Sequence, residues 1–274
     1  MGLVFACISP HGAEVIPELA GGMLDDFAVT REGMKGLASL MKKQNPETIV
    51  LATPHNVRLE AKIGVVTTEF TEGSIQENNK SVELRCSCDR ELAKSILEEA
   101  RKSKLPVVGV NYGTSEGPAS CMPMDWGTLI PLWFLVGRGN DDLKVVIVTP
   151  SREIPLEELV SFGEVISEVT AASEKRVAFV ASADQGHAHR ADGPYGYNSA
   201  SAEFDQLAKE AVQRNDLRSL LNLPSKFVEN AKPDSLWQLA ILQGVLEHSQ
   251  LVGRLLSYQV PTYYGMLCAA YSPM

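Results

Sequence analysis

The chain has 274 residues, of which 45% are hydrophobic and 22% are charged, a composition typical of a globular protein rather than a disordered one. Its formal net charge of −9 argues against nucleic acid or an anionic membrane as the partner, because the average field would repel both. The odd number of cysteines, 5, does not indicate a disulfide framework.

Neither the longest apolar run nor the first residues of the sequence have the features of a membrane-spanning or secretory segment. The longest apolar run, LIPLWFLV (129–136), is shorter than the ~20 residues of a membrane-spanning helix. The first residues, MGLVFACISP, have neither the basic start nor the cleavage site of a secretory signal peptide. We therefore expect a cytoplasmic protein without a membrane partner, and a homo-oligomer as the default state.

Short apolar runs alternate with helical patterns along the chain. The runs predict strands over residues 4–9, 48–53, 62–68, 106–111, 144–149 and 176–182. The helical patterns cover residues 30–43, 89–102, 156–169, 202–214 and 235–247. Thr30 is expected to cap the first helix, and Leu207 to lie on the inward face of the fourth. The alternation predicts one α/β domain over residues 1–274, with a mostly parallel central sheet flanked by helices.

Two histidines follow predicted strands in similar contexts, ISPHG (8–12) and ATPHN (52–56). Proline donates no hydrogen bond to a sheet, so His11 and His55 stand where strands become loops, and VTPSR (148–152) repeats the arrangement. Ligands bind at the carboxyl ends of strands in open α/β sheets. A strand-end histidine can also serve only to donate to a loop carbonyl, but the matched pair favours metal binding.

A later segment, ADQGHAHRADGPYGYN (183–198), follows the last predicted strand and adds His187 and His189. Two imidazoles and one carboxylate form the facial ligand set of non-haem Fe(II) sites, and zinc accepts the same ligands. His189, beside Arg190, is either a site residue or a solvated loop residue. Tyr195 lies in PYGY, which either lines a pocket or forms a turn.

Together, PHG, TPHN, DQGHAH, GPYGYNSASAEFD and KPDSLWQLAILQG resemble the class III extradiol ring-cleavage dioxygenases, the group typified by the catalytic subunit of protocatechuate 4,5-dioxygenase. The resemblance implies Fe(II) bound by His11 and His55, with Zn or Mn as other candidates, and His187 as the acid/base. It implies Asp234 as the acidic ligand, with Glu229 as the runner-up. Asp234 also suits the N-cap of a helix, a role that would compete with metal binding.

The activity implied by the resemblance is extradiol cleavage of a catechol-type ring, with an aromatic diol and O₂ as substrates. Asp184, Gln185, Trp126 and Tyr195 are the candidates for substrate binding. Trp126, in MDWGTLIPL (124–132), stands where many family members have the histidine of a DHG motif. This departure keeps open a metal-binding or interaction protein without dioxygenase activity, as in the Memo-like branch. A zinc hydrolase with the same ligands is a further alternative.

Overall fold

The computed structural model describes residues 2–137 and 142–273. The β-strands in these ranges are β1 (Gly2–Ser9), β2 (Thr48–Ala52), β3 (Ile63–Val66), β4 (Phe70–Glu77), β5 (Lys80–Ser87), β6 (Val107–Val110), β7 (Cys121–Pro123), β8 (Lys144–Pro150), β9 (Arg176–Ser182), β10 (Val252–Gln259) and β11 (Met266–Ser272). The α-helices are α1 (Ala28–Gln44), α2 (Arg90–Lys102), α3 (Trp126–Leu135), α4 (Leu156–Ala172), α5 (Ser199–Arg214), α6 (Ser225–Ala231) and α7 (Leu236–Leu246). None of these helices combines the length and the apolar character needed to span a lipid bilayer.

The central sheet of the described ranges has eight strands in the order β10-β11-β1-β9-β2-β8-β3-β6. Its middle strands β1, β9, β2 and β8 are all parallel. An antiparallel pair, β11 and β10, extends one side, and β3 runs antiparallel to β8 on the other. The predicted α/β fold with a mostly parallel central sheet is confirmed, and all six predicted strands form.

Helices cover both faces of this sheet. Along β1, Phe5 and Cys7 pack on the face that carries α1, whereas Ala6 and Ile8 pack on the face that carries α4 and α7. Alternate side chains of a strand point to opposite faces, so a strand buried on both faces is an almost continuous apolar run. The edge formed by the carboxyl ends of the parallel strands is therefore left for polar residues.

A second sheet, β5-β4-β7, is absent from the sequence-based prediction. Strands β4 and β5 form a hairpin whose turn residues, Asn78 and Asn79, have left-handed φ angles of 51° and 58°. Most residues of this hairpin are exposed or half-buried, so they produce no apolar run. Strand β7 leads into α3, and the Met124 N–H donates to the Glu72 carbonyl, so this sheet positions the start of α3.

Two predictions about helices are wrong. Helix α1 begins at Ala28, so Thr30 lies buried inside the helix and the cap position belongs to Phe27. Leu207 of α5 is 36% exposed, because the buried stripe of that helix passes through Phe204, Ala208 and Ala211 and leaves Leu207 at its margin. Helix α3 is an addition to the prediction: it is buried along most of its length and therefore lacks the amphipathic period that marks surface helices.

Candidate metal centre

The carboxyl ends of the parallel strands bring the predicted polar residues to one edge. His11 stands two residues after the end of β1, His55 three after β2, and Asp184 two after β9. Asp234 comes from the loop between α6 and α7, and its backbone N–H donates to the Asp184 carbonyl at 3.1 Å. That hydrogen bond joins the late loop to the sheet edge.

Three side chains converge at this edge, those of His11, His55 and Asp234. The nitrogens of His11 and His55 and a carboxylate oxygen of Asp234 all lie within 4.8 Å of one another. The Nε2 atoms of the two histidines are 3.3 Å apart. Asp234 Oδ2 lies 3.4 Å from His11 Nε2 and 3.0 Å from His55 Nε2. Glu229, the runner-up ligand, is exposed on α6 and pairs with Lys226 at 3.0 Å.

Hydrogen bonds determine which nitrogen of His11 is available. Its Nδ1 lies 2.9 Å from Ser182 Oγ, and that hydroxyl donates its proton to the Gly127 carbonyl at 2.6 Å. Because the hydroxyl proton is used there, His11 Nδ1–H donates to Ser182 and the neutral ring keeps a lone pair on Nε2. Such a partner also fixes the ring orientation, as is usual for histidines that bind metals.

The start of α3 holds His55 in place. Thr53 Oγ1 donates to the Asp125 carboxylate at 2.8 Å and accepts from the His55 N–H at 3.3 Å. The half-exposed indole of Trp126 stacks on the His55 ring, with centroids 4.1 Å apart. A Cβ at Gly127 would lie 2.6 Å from Thr53 Oγ1 and 3.2 Å from the His55 ring. Glycine is therefore required for this close approach.

Asp234 does not cap the helix that follows it. Helix α7 begins at Leu236 with Ser235 at the cap position, so the N-cap role considered from the sequence is wrong. The Asp234 carboxylate instead accepts from the Arg152 guanidinium through Oδ1, which leaves Oδ2 towards the two imidazoles. Arg152 lies 4.7 Å above the ring of Trp237, so its position is also fixed.

Two buried carboxylates surround His11. The His11 N–H donates to Asp184 Oδ1 at 3.1 Å, and Asp184 Oδ2 is 3.2 Å from His11 Nε2. Burial raises the pKa of Asp184. Burial opposes the charged form of His11, but Asp184 and Asp234 together raise its pKa. Burial likewise opposes ionisation of Asp234, yet hydrogen bonds from His11 and His55 hold its pKa well below the usual range.

The chemistry of this donor set fits a divalent transition metal. Two imidazole nitrogens and a carboxylate suit Fe(II), Zn or Mn, and the negative charge of the centre favours a bound cation. His11 presents its lone pair to the centre, and Asp234 keeps one oxygen directed to both rings. Protons and a metal ion would compete for these atoms.

His187 lies near this centre but is not one of the three converging groups. Its Nδ1 is 2.7 Å from the Gln185 carbonyl, which can only accept, so Nδ1 carries the proton. Its Nε2 has no hydrogen-bond partner among the described residues. The ring stacks on Tyr264 with centroids 5.2 Å apart, and Tyr195 meets it edge-on at 5.9 Å.

One cavity of about 930 Å³ opens onto all of these groups. Asp184, Trp126, Tyr195 and His187 line it together with the three converging side chains. Gln185 does not line it: the side chain is completely buried and donates to the Ala183 carbonyl at 3.0 Å. The substrate contact predicted for Gln185 is therefore wrong, because its side chain lies beneath the loop that presents its neighbours.

The remaining histidines have other environments. His189 Nε2 lies 2.9 Å from the fully buried carboxylate of Asp205, which also accepts from the Gly186 N–H and the Tyr258 hydroxyl, both at 2.7 Å. His189 is therefore part of the support of the loop rather than a solvated residue. His248 is exposed in the turn after α7.

Two residues of the site were missed by sequence reasoning. Arg152 stands two residues after the end of β8, and VTPSR marked that strand end in the sequence, so its position was predictable although its partner was not. Tyr264, which stacks on His187, comes from the loop before β11. An antiparallel strand outside the βα alternation gave no signal that would have placed Tyr264 at this edge.

Comparisons with known proteins place the fold and the site in context. The family model described as the catalytic LigB subunit of aromatic ring-opening dioxygenase matches residues 5–267. Protein CA_C1420 of Clostridium acetobutylicum is 27% identical over 253 residues, which cover 91% of this chain and 53% of that protein. The chain thus spans about half the length of this curated relative.

A solved structure shares the fold. The crystal structure of the uncharacterized protein JW3007 from Escherichia coli K12 matches with a TM-score of 0.60 at 14% sequence identity. The match covers 97% of this chain and 99% of that chain. At this identity, the likeness shows the common fold alone.

Proposed function

The chain belongs to the family of the catalytic LigB subunit of aromatic ring-opening dioxygenase, and from this premise we propose that it is an Fe(II)-dependent extradiol dioxygenase acting on a catechol-type ring with O₂. The family match supports a dioxygenase-type enzyme in general, whereas iron and the position of ring cleavage are our proposals. The convergence of His11, His55 and Asp234 at a cavity that also contains His187 supports them.

In this proposal His11, His55 and Asp234 hold the metal ion. Each of them offers one ligand atom, and no other group of three such residues in the described chain lies as close together. When bound by two imidazoles and one carboxylate, Fe(II) supplies open coordination positions, acidifies a diol and reacts with O₂. The protein supplies the orientation of the reactants and the handling of protons.

His187 is the residue that we propose moves the proton. Its Nδ1–H is committed to the Gln185 carbonyl, so the neutral ring keeps a lone pair on Nε2. That atom can accept a proton from one hydroxyl of the diol and return it later, as a general base and then a general acid. Tyr264, stacked on the ring, holds the plane of the imidazole while it does so.

Three further residues have proposed roles around the substrate. Trp126 and Tyr195 line the cavity and offer aromatic surfaces to a planar ring. Asp184 also lines it, and its carboxylate keeps His11 oriented through the backbone N–H. A well-oriented diol and a fixed proton acceptor contribute to the rate by removing the entropy cost of bringing them together.

Metal analysis of protein purified without oxygen tests the proposal. We expect about one iron per chain, lost in His11→Ala and in His55→Ala, and oxygen uptake with at least one catechol. His248→Ala is the matched control, because this histidine is exposed and lies away from the cavity. Protein without metal, or zinc that neither variant removes, would overturn the proposal.

A second function is favoured by a specific observation. Trp126 stacks on His55 at 4.1 Å, at the position where many family members have a histidine. A metal-binding protein of the same fold without dioxygenase activity would keep the three ligands and dispense with that side chain. Tight iron binding with no oxygen uptake across a broad panel of catechols would favour this function over the first.

A further inference from the structure

The cavity has two chemically different walls. One wall carries the candidate metal centre and His187. The other, which we call the apolar wall, is lined by side chains from α4, α6, α7 and the loops before them: Ile154, Leu156, Leu223, Val228, Leu236 and Trp237. Both walls belong to one continuous cavity, so a single ligand can contact them together.

The two walls meet at Asp234. Leu236 and Trp237 follow this residue almost directly in the chain, and the Trp237 indole N–H donates to the Arg152 carbonyl at 3.2 Å. Arg152 in turn pairs with Asp234, so the apolar wall begins where the proposed metal ligands end. Trp237 is therefore within reach of a ligand that is held at the metal centre.

The size of the cavity exceeds the needs of a single ring. Its volume is about 930 Å³, whereas a cavity of roughly 150 Å³ is enough to hold benzene. Cavities of roughly 300–1,000 Å³ usually accept ligands larger than one ring. A simple catechol would leave most of the apolar wall facing water.

Ile154 and Leu236 of the apolar wall are buried, but its other four side chains are only partly withdrawn from water. Leu223, Val228 and Trp237 pack against the main core but stay half-buried. Covering them with an apolar group of the ligand removes this surface from water, which favours binding. Arg58 and Lys232 also line the cavity, and both are exposed.

We propose that the substrate is an aromatic diol with a second ring or an apolar substituent of similar size, which lies on the apolar wall while the diol faces His11 and His55. The diol end of this proposal rests on the proposed function, whereas the apolar end rests on the cavity alone. The alternative is a diol with an anionic substituent that pairs with Arg58 or Lys232.

Calorimetric binding without oxygen tests the two ends separately. The probes are catechol, 4-phenylcatechol, 4-hydroxybiphenyl and 3,4-dihydroxybenzoate, titrated into the purified protein. We expect 4-phenylcatechol to bind on the order of 30-fold more tightly than catechol, because its second ring becomes buried. The compound 4-hydroxybiphenyl, which has both rings but no diol, should also bind more tightly than catechol.

Variants of the apolar wall complete the test. Leu223→Asn should weaken the binding of both biphenyl compounds about tenfold and leave catechol within twofold. Val228→Thr, which replaces a methyl group with a polar hydroxyl, should do the same to a smaller degree. Leu207→Asn is the matched control, since that leucine is partly exposed on α5 outside the cavity. Thermal unfolding of each variant shows whether it is folded.

Each outcome decides one end of the proposal. Equal affinity for catechol and 4-phenylcatechol, or tightest binding of 3,4-dihydroxybenzoate, would overturn the apolar substituent. If 4-hydroxybiphenyl binds and responds to Leu223→Asn, but 4-phenylcatechol binds no more tightly than it and the protein holds no iron, the apolar wall stands and the proposed function fails. Failure of all four probes would overturn both.

Discussion

The two ends of the central sheet bury carboxylates in opposite ways. At the amino end, Asp89 accepts from the Thr48 hydroxyl at 2.7 Å, from the Leu92 N–H at 3.1 Å, and from Lys175 at 2.7 and 2.9 Å. Each of these partners carries its own proton. At the carboxyl end, Asp234 and Asp184 face imidazole nitrogens.

The difference shows what a buried carboxylate does in each place. A carboxylate surrounded by donors is fully satisfied, and it stabilises the fold that holds those donors. At the carboxyl end the Oδ1 atoms of Asp234 and Asp184 accept from Arg152 and from the His11 N–H, but each Oδ2 faces His11 Nε2. A carboxylate oxygen opposite an imidazole lone pair is satisfied only when a proton or a metal ion joins them. The amino end is therefore a structural site, and the carboxyl end has the chemistry that we propose binds a cation.

The largest effect that we expect is the loss of metal in Asp234→Asn. Structural metal sites bind with roughly 10–16 kcal/mol shared among about four ligands, so losing one charged ligand should weaken Fe(II) binding on the order of 10³-fold. Competition with a metal-sensitive dye measures the affinity. Glu229→Gln is the matched control, because Glu229 is exposed and outside the group, and comparable losses in both variants would contradict the assignment of Asp234.

At the amino end we expect a loss of stability without a loss of metal. Asp89→Ala leaves the Lys175 ammonium, the Thr48 hydroxyl and the Leu92 N–H without their acceptor, so the free energy of unfolding should fall by about 3 kcal/mol. Urea unfolding measures it. Glu98→Ala, on the exposed side of the same helix, should cost less than ~0.5 kcal/mol. Asp89→Ala should keep the iron content of the parent protein, and this result would show that the amino end contributes to stability but not to metal binding.

The same carboxylate predicts a dependence of stability on pH. Burial opposes ionisation of Asp89, but hydrogen bonds from Lys175 and Thr48 lower its pKa overall. The folded state therefore binds its proton at lower pH than the unfolded state does, and the stabilisation is complete above the ordinary aspartate pKa of ~3.9. It is lost as the pH falls through the lower, folded value.

Unfolding of the parent protein and of Asp89→Asn at a series of pH values checks this sign. The difference in unfolding free energy between the two should be constant from about pH 7 to pH 5 and should shrink below ~pH 4. Taking the difference removes the contribution of the other carboxylates. A difference that grows in acid would show that Asp89 is not held in its ionised form.

More of the carboxyl end of the sheet than of the amino end could be predicted from the sequence. His11 and His55 could be placed because a proline ended each strand, and buried parallel strands are easily recognised as apolar runs. Asp89 was only included in a helix, since its partners Thr48 and Lys175 are 41 and 86 residues away in the chain. Contacts across such separations depend on strand order, which no local pattern reveals.

The hairpin of β4 and β5 and the stacking of Trp126 on His55 could not be predicted from the sequence, for related reasons. The hairpin exposes side chains on both faces, so it lacks the alternation of a half-buried strand. Trp126 was recognised as a departure from a motif, but its contact with His55 depends on the small glycine that follows it. The motif identified the residue, and only the packing showed its neighbour.

The smallest effect that we expect concerns Arg152. This residue donates to Asp234 as Lys175 donates to Asp89, but the carboxylate that it contacts is the proposed metal ligand. Its guanidinium is a true donor to Asp234 Oδ1 and leaves Oδ2 for the two imidazoles. Arg152→Met should weaken Fe(II) binding about tenfold, since residues that orient metal ligands typically contribute 10–100-fold. Arg58→Met is the matched control, because Arg58 lines the same cavity and forms no ion pair with a described residue. Tighter iron binding in Arg152→Met would mean that the guanidinium competes with the metal for Asp234. The Asp234 carboxylate would then be satisfied by a fixed donor without a metal ion, as Asp89 is at the amino end.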